Sequence, residues 1–334
     1  MMRSSAGATA LALLLLFGSA NAGGVPELRF PVDCTPGEDC WIYQYVDTDP
    51  GPGARDYTCG LRSYEGHKGT DIALADLKSI ERGVTVVAAA EGKVRSIRDG
   101  VPDRLHDGPG ATSVEGRECG NGVAIQHGDG WESMYCHLRN GSVRVRPGEQ
   151  VDQGQPIGEI GLSGMTQFPH LHFAVRYGEA AIDPFTGPVP PEGCGVPGAP
   201  LWSDADREAT RYSPVDIYQI GAAVEAPEAA AAYAGELDAD TLPSSAPALV
   251  AWTTLAAVRA GDQLTIRLVS PAGETVAKSE TILEKNQIRY FAYTGRRLTG
   301  PSWPSGDYRI EVALVREAGD PSVRKSADRI ITVR

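Results

Sequence analysis

The sequence predicts a mainly β protein, an antiparallel-sheet domain followed by an immunoglobulin-like β-sandwich. Three observations carry that expectation. The 334 residues include 39 glycines and 24 prolines but only 7% aromatics, a composition of many turns and short strands rather than long helices. Apolar residues fall in short runs broken by Gly, Asp and Pro. Several runs alternate apolar with polar, as strands with one buried face do.

Taken in order, the elements begin with a leader. Arg3 precedes the apolar run Ala8 to Phe17 and the small-residue site Gly18-Ser19-Ala20-Asn21-Ala22, the pattern of a signal peptide cut after Ala22. The run is shorter than the roughly 18 residues that a membrane-spanning helix needs, so no transmembrane segment is expected in the mature chain. Residues 23–200 form the first domain. Val84 to Ala88 and Lys93 to Arg98 flank Glu91-Gly92, and Gly122 to His127 and Trp131 to Leu138 flank Gly128-Asp129-Gly130, both reading as hairpins. A third pair is expected around Gln150-Val151 and Gln155 to Gly158, with one more strand over Leu171 to Tyr177.

From Gly187 to Pro200 the composition turns to Pro and Gly, which carries no continuous helix or central strand, and 201–214 reads as a linker. Residues 215–334 then offer seven candidate strands: Val215–Ala222, Leu249–Leu255, Gln263–Val269, Thr275–Ser279, Gln287–Tyr293, Asp307–Val315 and Arg329–Val333. That number of short, half-buried strands is the sandwich signature. Glu225 to Asp240, rich in Ala and acids, is an insertion readable as a short helix or a loose loop.

Charge narrows the function. With 31 Lys+Arg against 43 Asp+Glu the net charge is −12, and no basic block occurs, so nothing supports nucleic-acid binding. Six cysteines, all before residue 200, fit an oxidising compartment and disulfides, with Cys34/Cys40 the nearest pair. No C-x-x-C spacing supports a thiolate metal site.

Chemistry concentrates on the histidines. Gly66-His67-Lys68-Gly69-Thr70-Asp71 sets an imidazole and a carboxylate four residues apart, across a glycine that permits a turn. Zinc accepts both ligand types, although this spacing alone is common by chance. In Pro169-His170-Leu171-His172-Phe173, residues i and i+2 of a strand share a face, so both imidazoles point together while Leu171, Phe173 and Val175 are buried behind them. Met134-Tyr135-Cys136-His137-Leu138 adds a third motif at a strand end. A hydrolytic zinc site needs three protein ligands, an open position and neighbouring proton carriers, which these motifs supply together. His106, in a Gly/Pro/Asp-rich insertion, and His127, at a turn, read as solvated or turn-stabilising.

The ordered set His67-x-Gly69-x-Asp71, Asn121-Gly122-Val123, His127-Gly128-Asp129-Gly130, Tyr135-x-His137-Leu138, Pro147-Gly148-Glu149-x-Val151-x-x-Gly154-Gln155-x-Ile157-Gly158 and His170-x-His172-Phe173 resembles the lysostaphin-like or LytM-type zinc metallopeptidases, over about residues 60 to 185. The resemblance implies one zinc per chain held by His67, Asp71 and His172. His137 and His170 stand as catalytic groups beside the open position, with the general base undecided between them. It also implies an exported, periplasmic or secreted endopeptidase acting on the stem peptides and cross-bridges of peptidoglycan. The sandwich would then serve a wall polymer or a regulatory protein partner. Three positions depart from the family pattern. Cys136, where a small residue is usual, reads as a disulfide half; Phe168 stands where glycine is more frequent; and the insertion Gly100 to Arg117 is long. The alternatives are a non-catalytic relative that regulates another wall hydrolase, or a secreted bacteriolytic protease. All five site positions are filled, which favours catalysis.

Overall fold

Leu171, Phe173 and Val175 are buried along β9 (His170–Tyr177), and each such side chain contributes about 1.5–3 kcal/mol to the core. In the computed structural model, which describes residues 24–106, 113–188, 193, 195, 196, 198–317 and 322–334, this strand sits inside an eight-stranded antiparallel sheet. β2 (Thr70–Ala73) pairs with one edge of β9 and β6 (Trp131–Leu138) with the other. β1 (Trp41–Gln44) extends the sheet beyond β2. β5 (Asn121–Gly128), β4 (Gly92–Arg98) and β7 (Gln150–Val151) extend it beyond β6, and β10 (Ala180–Ile182) also pairs with β9. The expected leader and Cys194 lie outside the described residues.

The hairpin expected between β5 and β6 is present. The other two expected pairings are not. β3 (Thr85–Val87) pairs with β8 (Pro156–Glu159), while β4 pairs with β7, so two long segments run side by side and neither closes on itself. Glu91-Gly92 misleads because Gly92 serves close approach: a Cβ there would lie 2.4 Å from the Gln126 carbonyl oxygen. Buried Ala88, Ala89 and Ala90 carry the chain from the small sheet into the large one. Cys34–Cys40, the expected near pair, and Cys119–Cys136 are bonded.

In the second half, β11 (Asp216–Ala223), β13 (Ala248–Val258) and β16 (Gln287–Arg297) form one sheet. β12 (Thr241–Leu242), β18 (Val323–Val333), β17 (Gly306–Arg316), β14 (Gln263–Val269) and β15 (Thr275–Ile282) form another. Leu249, Ala251 and Leu255 of the first pack with Leu264, Ile266, Tyr308 and Ile310 of the second in one core. The 225–240 insertion resolves as a helix, α2 (Ala229–Ala234), closed by Gly235 in the left-handed region at φ 79°. It covers Trp252 and Ala223 on the outer face of the three-stranded sheet.

The rest of that outer face meets residues of the first half of the chain. Ala256, Tyr218 and Ile288 pack with Tyr43, Ala73 and Phe168, which explains why β13 is buried on both faces instead of the expected one. Arg62 reaches across to Asp216 at 2.7 Å and to the Ser213 carbonyl, with side chains only 1% and 5% exposed for the ion pair. Leu201 and Trp202 pack into the first core, ahead of the short helix α1 (Asp204–Ala209).

One buried carboxyl sets a pH dependence. Burial lifts Asp183 from 3.8 to about 7, helped by nearby Asp56 and opposed by the Phe185 N–H, which donates to its Oδ1 at 2.8 Å. Between about pH 4 and pH 7 the folded state therefore holds a proton that the unfolded chain has released, so stability falls as pH rises through that window. Asp183→Asn, which keeps the acceptor and removes the charge, should raise Tm by about 2–5 °C at pH 8 and leave it unchanged near pH 4. Thermal scans at both pH values check this; an equal shift at each would refute the titration.

Candidate metal centre and catalytic groove

Cross-strand register builds the site. In the β2–β9 pairing Asp71 lies opposite His172 and Ala73 opposite His170, and in the β6–β9 pairing Cys136 lies opposite His172. His67 enters from the loop before β2, and His137 follows Cys136 near the end of β6. Asp71, His170 and His172 thus share one sheet face, and His67 and His137 converge on them from the loop and the strand end, His67 Nε2 lying 3.1 Å from Asp71 Oδ1 and the His137 ring 4.6 Å from that of His170.

Asp71 Oδ1 lies 3.1 Å from His67 Nε2 and 2.8 Å from His172 Nδ1, and the two nitrogens are 3.2 Å apart. Three donors bound to one tetrahedral zinc at ~2.0–2.2 Å would stand roughly 3.3–3.6 Å from one another, so the observed triangle needs to open by less than about 1 Å at its shortest edge and by a few tenths at the other two. Two imidazoles and one carboxylate suit that ion. His67 Nδ1 sits 2.7 Å from the Tyr45 carbonyl oxygen, which can only accept, so Nδ1 carries the proton and Nε2 presents its lone pair to the cluster. Burial alone would raise the Asp71 carboxyl. The hydrogen bond from His172, and the pull of His67 and His170 whenever those rings are protonated, overcome that and hold it well below its usual range. The carboxylate is therefore ready to ligate.

Gly69 permits this triangle by close approach, not by a turn. A Cβ there would lie 2.7 Å from His172 Cε1 and Nε2 and 2.8 Å from the Phe173 carbonyl oxygen, so any side chain would push the imidazole away. The turn expected of this glycine belongs instead to Gly66, at φ 73°.

His137 and His170 flank the triangle with their rings 4.6 Å apart. His170 Nδ1 is 2.9 Å from the Phe168 carbonyl oxygen and 3.1 Å from Thr166 Oγ1, and His137 Nδ1 is 2.8 Å from the Ser163 carbonyl oxygen. Both rings thereby carry their proton on Nδ1 and leave Nε2 as an acceptor. His170 Nε2 lies 3.6 Å from Asp71 Oδ1. Burial pushes the His137 imidazole well below its ordinary value, with His170 and His172 pushing the same way; burial also lowers His170. Each is neutral at pH 7 and suited to accept a proton. His137 holds a left-handed backbone at φ 62°, a conformation uncommon outside glycine, and the Cys119–Cys136 disulfide anchors its neighbour.

Sequence reasoning assigned no role to the supporting residues Tyr45, Ser163 and Thr166. Ser163 accepts from the Asn121 N–H at 2.8 Å and donates to the Leu138 carbonyl at 2.8 Å, so it braces both the β5 start and the β6 end. Its only signal was a small polar residue in a Gly-rich stretch. His127 ties two segments, with Nδ1 2.7 Å from the Glu91 carbonyl oxygen and Nε2 2.8 Å from Ser133 Oγ, in keeping with a turn-stabilising role. His106 is half-buried where a solvated ring was expected. Its N–H donates to the Thr166 carbonyl at 2.8 Å, and its Nδ1 is buried with no hydrogen-bond partner among the described residues.

Comparison with known proteins follows from this geometry. The family model described as Peptidase family M23 matches residues 65–184. The Cell division protein DipM of Caulobacter vibrioides is 32% identical over 102 residues, covering 30% of this chain and 14% of that protein. Peptidoglycan DD-endopeptidase ShyA of Vibrio cholerae is 43% identical over 54 residues, covering 16% of this chain and 12% of that protein. The chain thus spans less than a fifth of the length of either relative. Among solved structures, the catalytic domain of the antimicrobial peptidase lysostaphin from Staphylococcus simulans is similar at 25% identity and a TM-score of 0.27, covering 42% of this chain and 89% of that one.

Proposed function

Residues 65–184 form a Peptidase family M23 domain, and from that premise we propose that the protein is a zinc metalloendopeptidase hydrolysing peptide bonds in peptidoglycan cross-links. The observation that carries the reading is the triangle of His67, Asp71 and His172, two of them buried and the third half-buried, with two neutral imidazoles beside it. These three residues would hold the ion. Zinc bound there supplies Lewis acidity, which acidifies a water and polarises a carbonyl. His170 and His137, each with Nδ1 tied to a main-chain carbonyl, aim Nε2 at the groove. One takes the proton of the attacking water on Nε2 and, once protonated, can donate toward the developing oxyanion and return the proton to the leaving amine; the other keeps its Nε2 lone pair beside it as a second acceptor. Their fixed rings hold these acceptors in place before substrate arrives.

We read the chain as exported after removal of a leader near Ala22, with a catalytic domain over 23–200, a linker over 201–214 and an immunoglobulin-like sandwich over 215–334. Support for the last comes from seven long strands shared between sheets ordered β11-β13-β16 and β18-β17-β14-β15. Among the described residues no helix is long and apolar enough to cross a membrane.

The test is release of soluble muropeptides from purified sacculi by the mature protein, alongside His170→Ala and chelator-treated protein. Release by the parent protein and a loss of about 10²-fold or more in both controls is expected. Release that survives the chelator would overturn the metal-dependent reading.

A further inference from the structure

Phe168, one of the departures from the family pattern, links the catalytic histidine to the second domain. Its ring stacks on His170 at 4.4 Å and 25° and packs against Tyr43 at 4.6 Å. Above it, 5.9 Å from the ring centre, lies the guanidinium of Arg289 on β16, whose other side rests 3.8 Å over the ring of Tyr233 on α2. Phe168, Tyr43, Arg289 and Tyr233, with Tyr218 and Leu255, line a cleft of about 200 Å³, whose lining also holds Asp76, a carboxylate already bonded to Ser79 and Gln219.

Arg289 is half-buried, and no carboxylate among the described residues lies within ion-pair distance of it, in a chain with 43 acidic residues. The two arginines that are fully buried among the described residues each have a carboxylate: Arg62 has Asp216 and Arg316 has Asp262, each at 2.7 Å. A guanidinium over ring faces that spends one donor on the Tyr233 hydroxyl has further edge N–H groups for a planar acceptor, and a carboxylate matches that fork with two parallel hydrogen bonds. Drawing a cation into an aromatic cleft without a counter-ion costs free energy that an incoming anion recovers. The separations across Phe168 place the guanidinium within roughly 10 Å of the His170 ring, about three residues of extended peptide.

We propose that Arg289 is a specificity-determining residue that receives a carboxylate of the acidic stem peptide, so that the second domain supplies one wall of the substrate groove. The proposal rests on the peptidoglycan reading and deepens it.

Two synthetic cross-linked stem peptides test it, one with the carboxylates flanking the scissile bond free and one with them amidated. For the parent protein kcat/KM should favour the free acid by about 10–100-fold at low salt, the worth of a charge-assisted pair. In Arg289→Gln that ratio should collapse toward one, and Arg289→Lys should fall between. A structural role would lower both substrates together and leave the ratio unmoved, which would overturn the proposal. If the parent cleaves neither peptide, the peptidoglycan reading fails, and calorimetric binding of the same peptides decides the rest. Tighter binding of the free acid that Arg289→Gln abolishes upholds the carboxylate site; equal binding refutes it.

Discussion

Replacing His172 by alanine should strip the metal, whereas replacing His137 should leave the protein loaded and silence it. His172 Nδ1 is one corner of the donor triangle, 2.8 Å from Asp71 Oδ1 and 3.2 Å from His67 Nε2. A two-donor remnant cannot hold zinc against a chelating resin, and Asp71→Asn should behave alike because it removes the anionic corner. His137 stands apart, its ring 6.0 Å from that of His172, and its Nδ1 is bonded to the Ser163 carbonyl. Its removal should cost about 10²–10⁴ in kcat while metal analysis still finds close to one zinc per chain. Alanine at φ 62° adds backbone strain, so His137→Asn, which tolerates the left-handed region, serves as the second variant. Metal retained by His172→Ala and lost by His137→Asn would reverse the assignment of ligand and proton carrier.

The second large effect concerns stability. Asp216→Ala should destabilise the protein by about 3–5 kcal/mol, because it leaves the Arg62 guanidinium buried without its counter-ion between the two domains. The remaining contacts of Arg62, to the Ser213 carbonyl and to the Tyr43 carbonyl at 3.3 Å, satisfy donors without neutralising charge. The double replacement Arg62→Met with Asp216→Leu should recover most of the loss, since apolar side chains of similar size avoid the desolvation cost. Calorimetric unfolding of the three variants measures both effects. A single replacement costing under about 1 kcal/mol would mean that water reaches this pair.

Legibility of the site followed locality. Strand alternation sufficed to place His170 and His172 on one face with Leu171 and Phe173 behind, because a strand's side-chain period is two whatever surrounds it. Local pattern also located all seven long strands of the second half. It failed where two segments competed for one partner. Glu91-Gly92 resembled a turn, yet β3 found a partner about 70 residues away and β4 one about 60 away, and the glycine answered to a neighbouring carbonyl instead.

What the sequence alone determined is the chemistry on offer: one carboxylate, four imidazoles, their order and the strands that carry three of those imidazoles. What the tertiary structure decided is which atoms meet: the carbonyls of Tyr45, Ser163 and Phe168 that orient three imidazoles, the glycine that makes room for His172, and the two arginines at the domain junction. Arg62 and Asp216 stand 154 residues apart, and their contact depends on how two separate cores dock. Short-range periodicity follows from backbone geometry, which each residue brings with it; the fate of a buried charge follows from whatever distant group the fold brings against it.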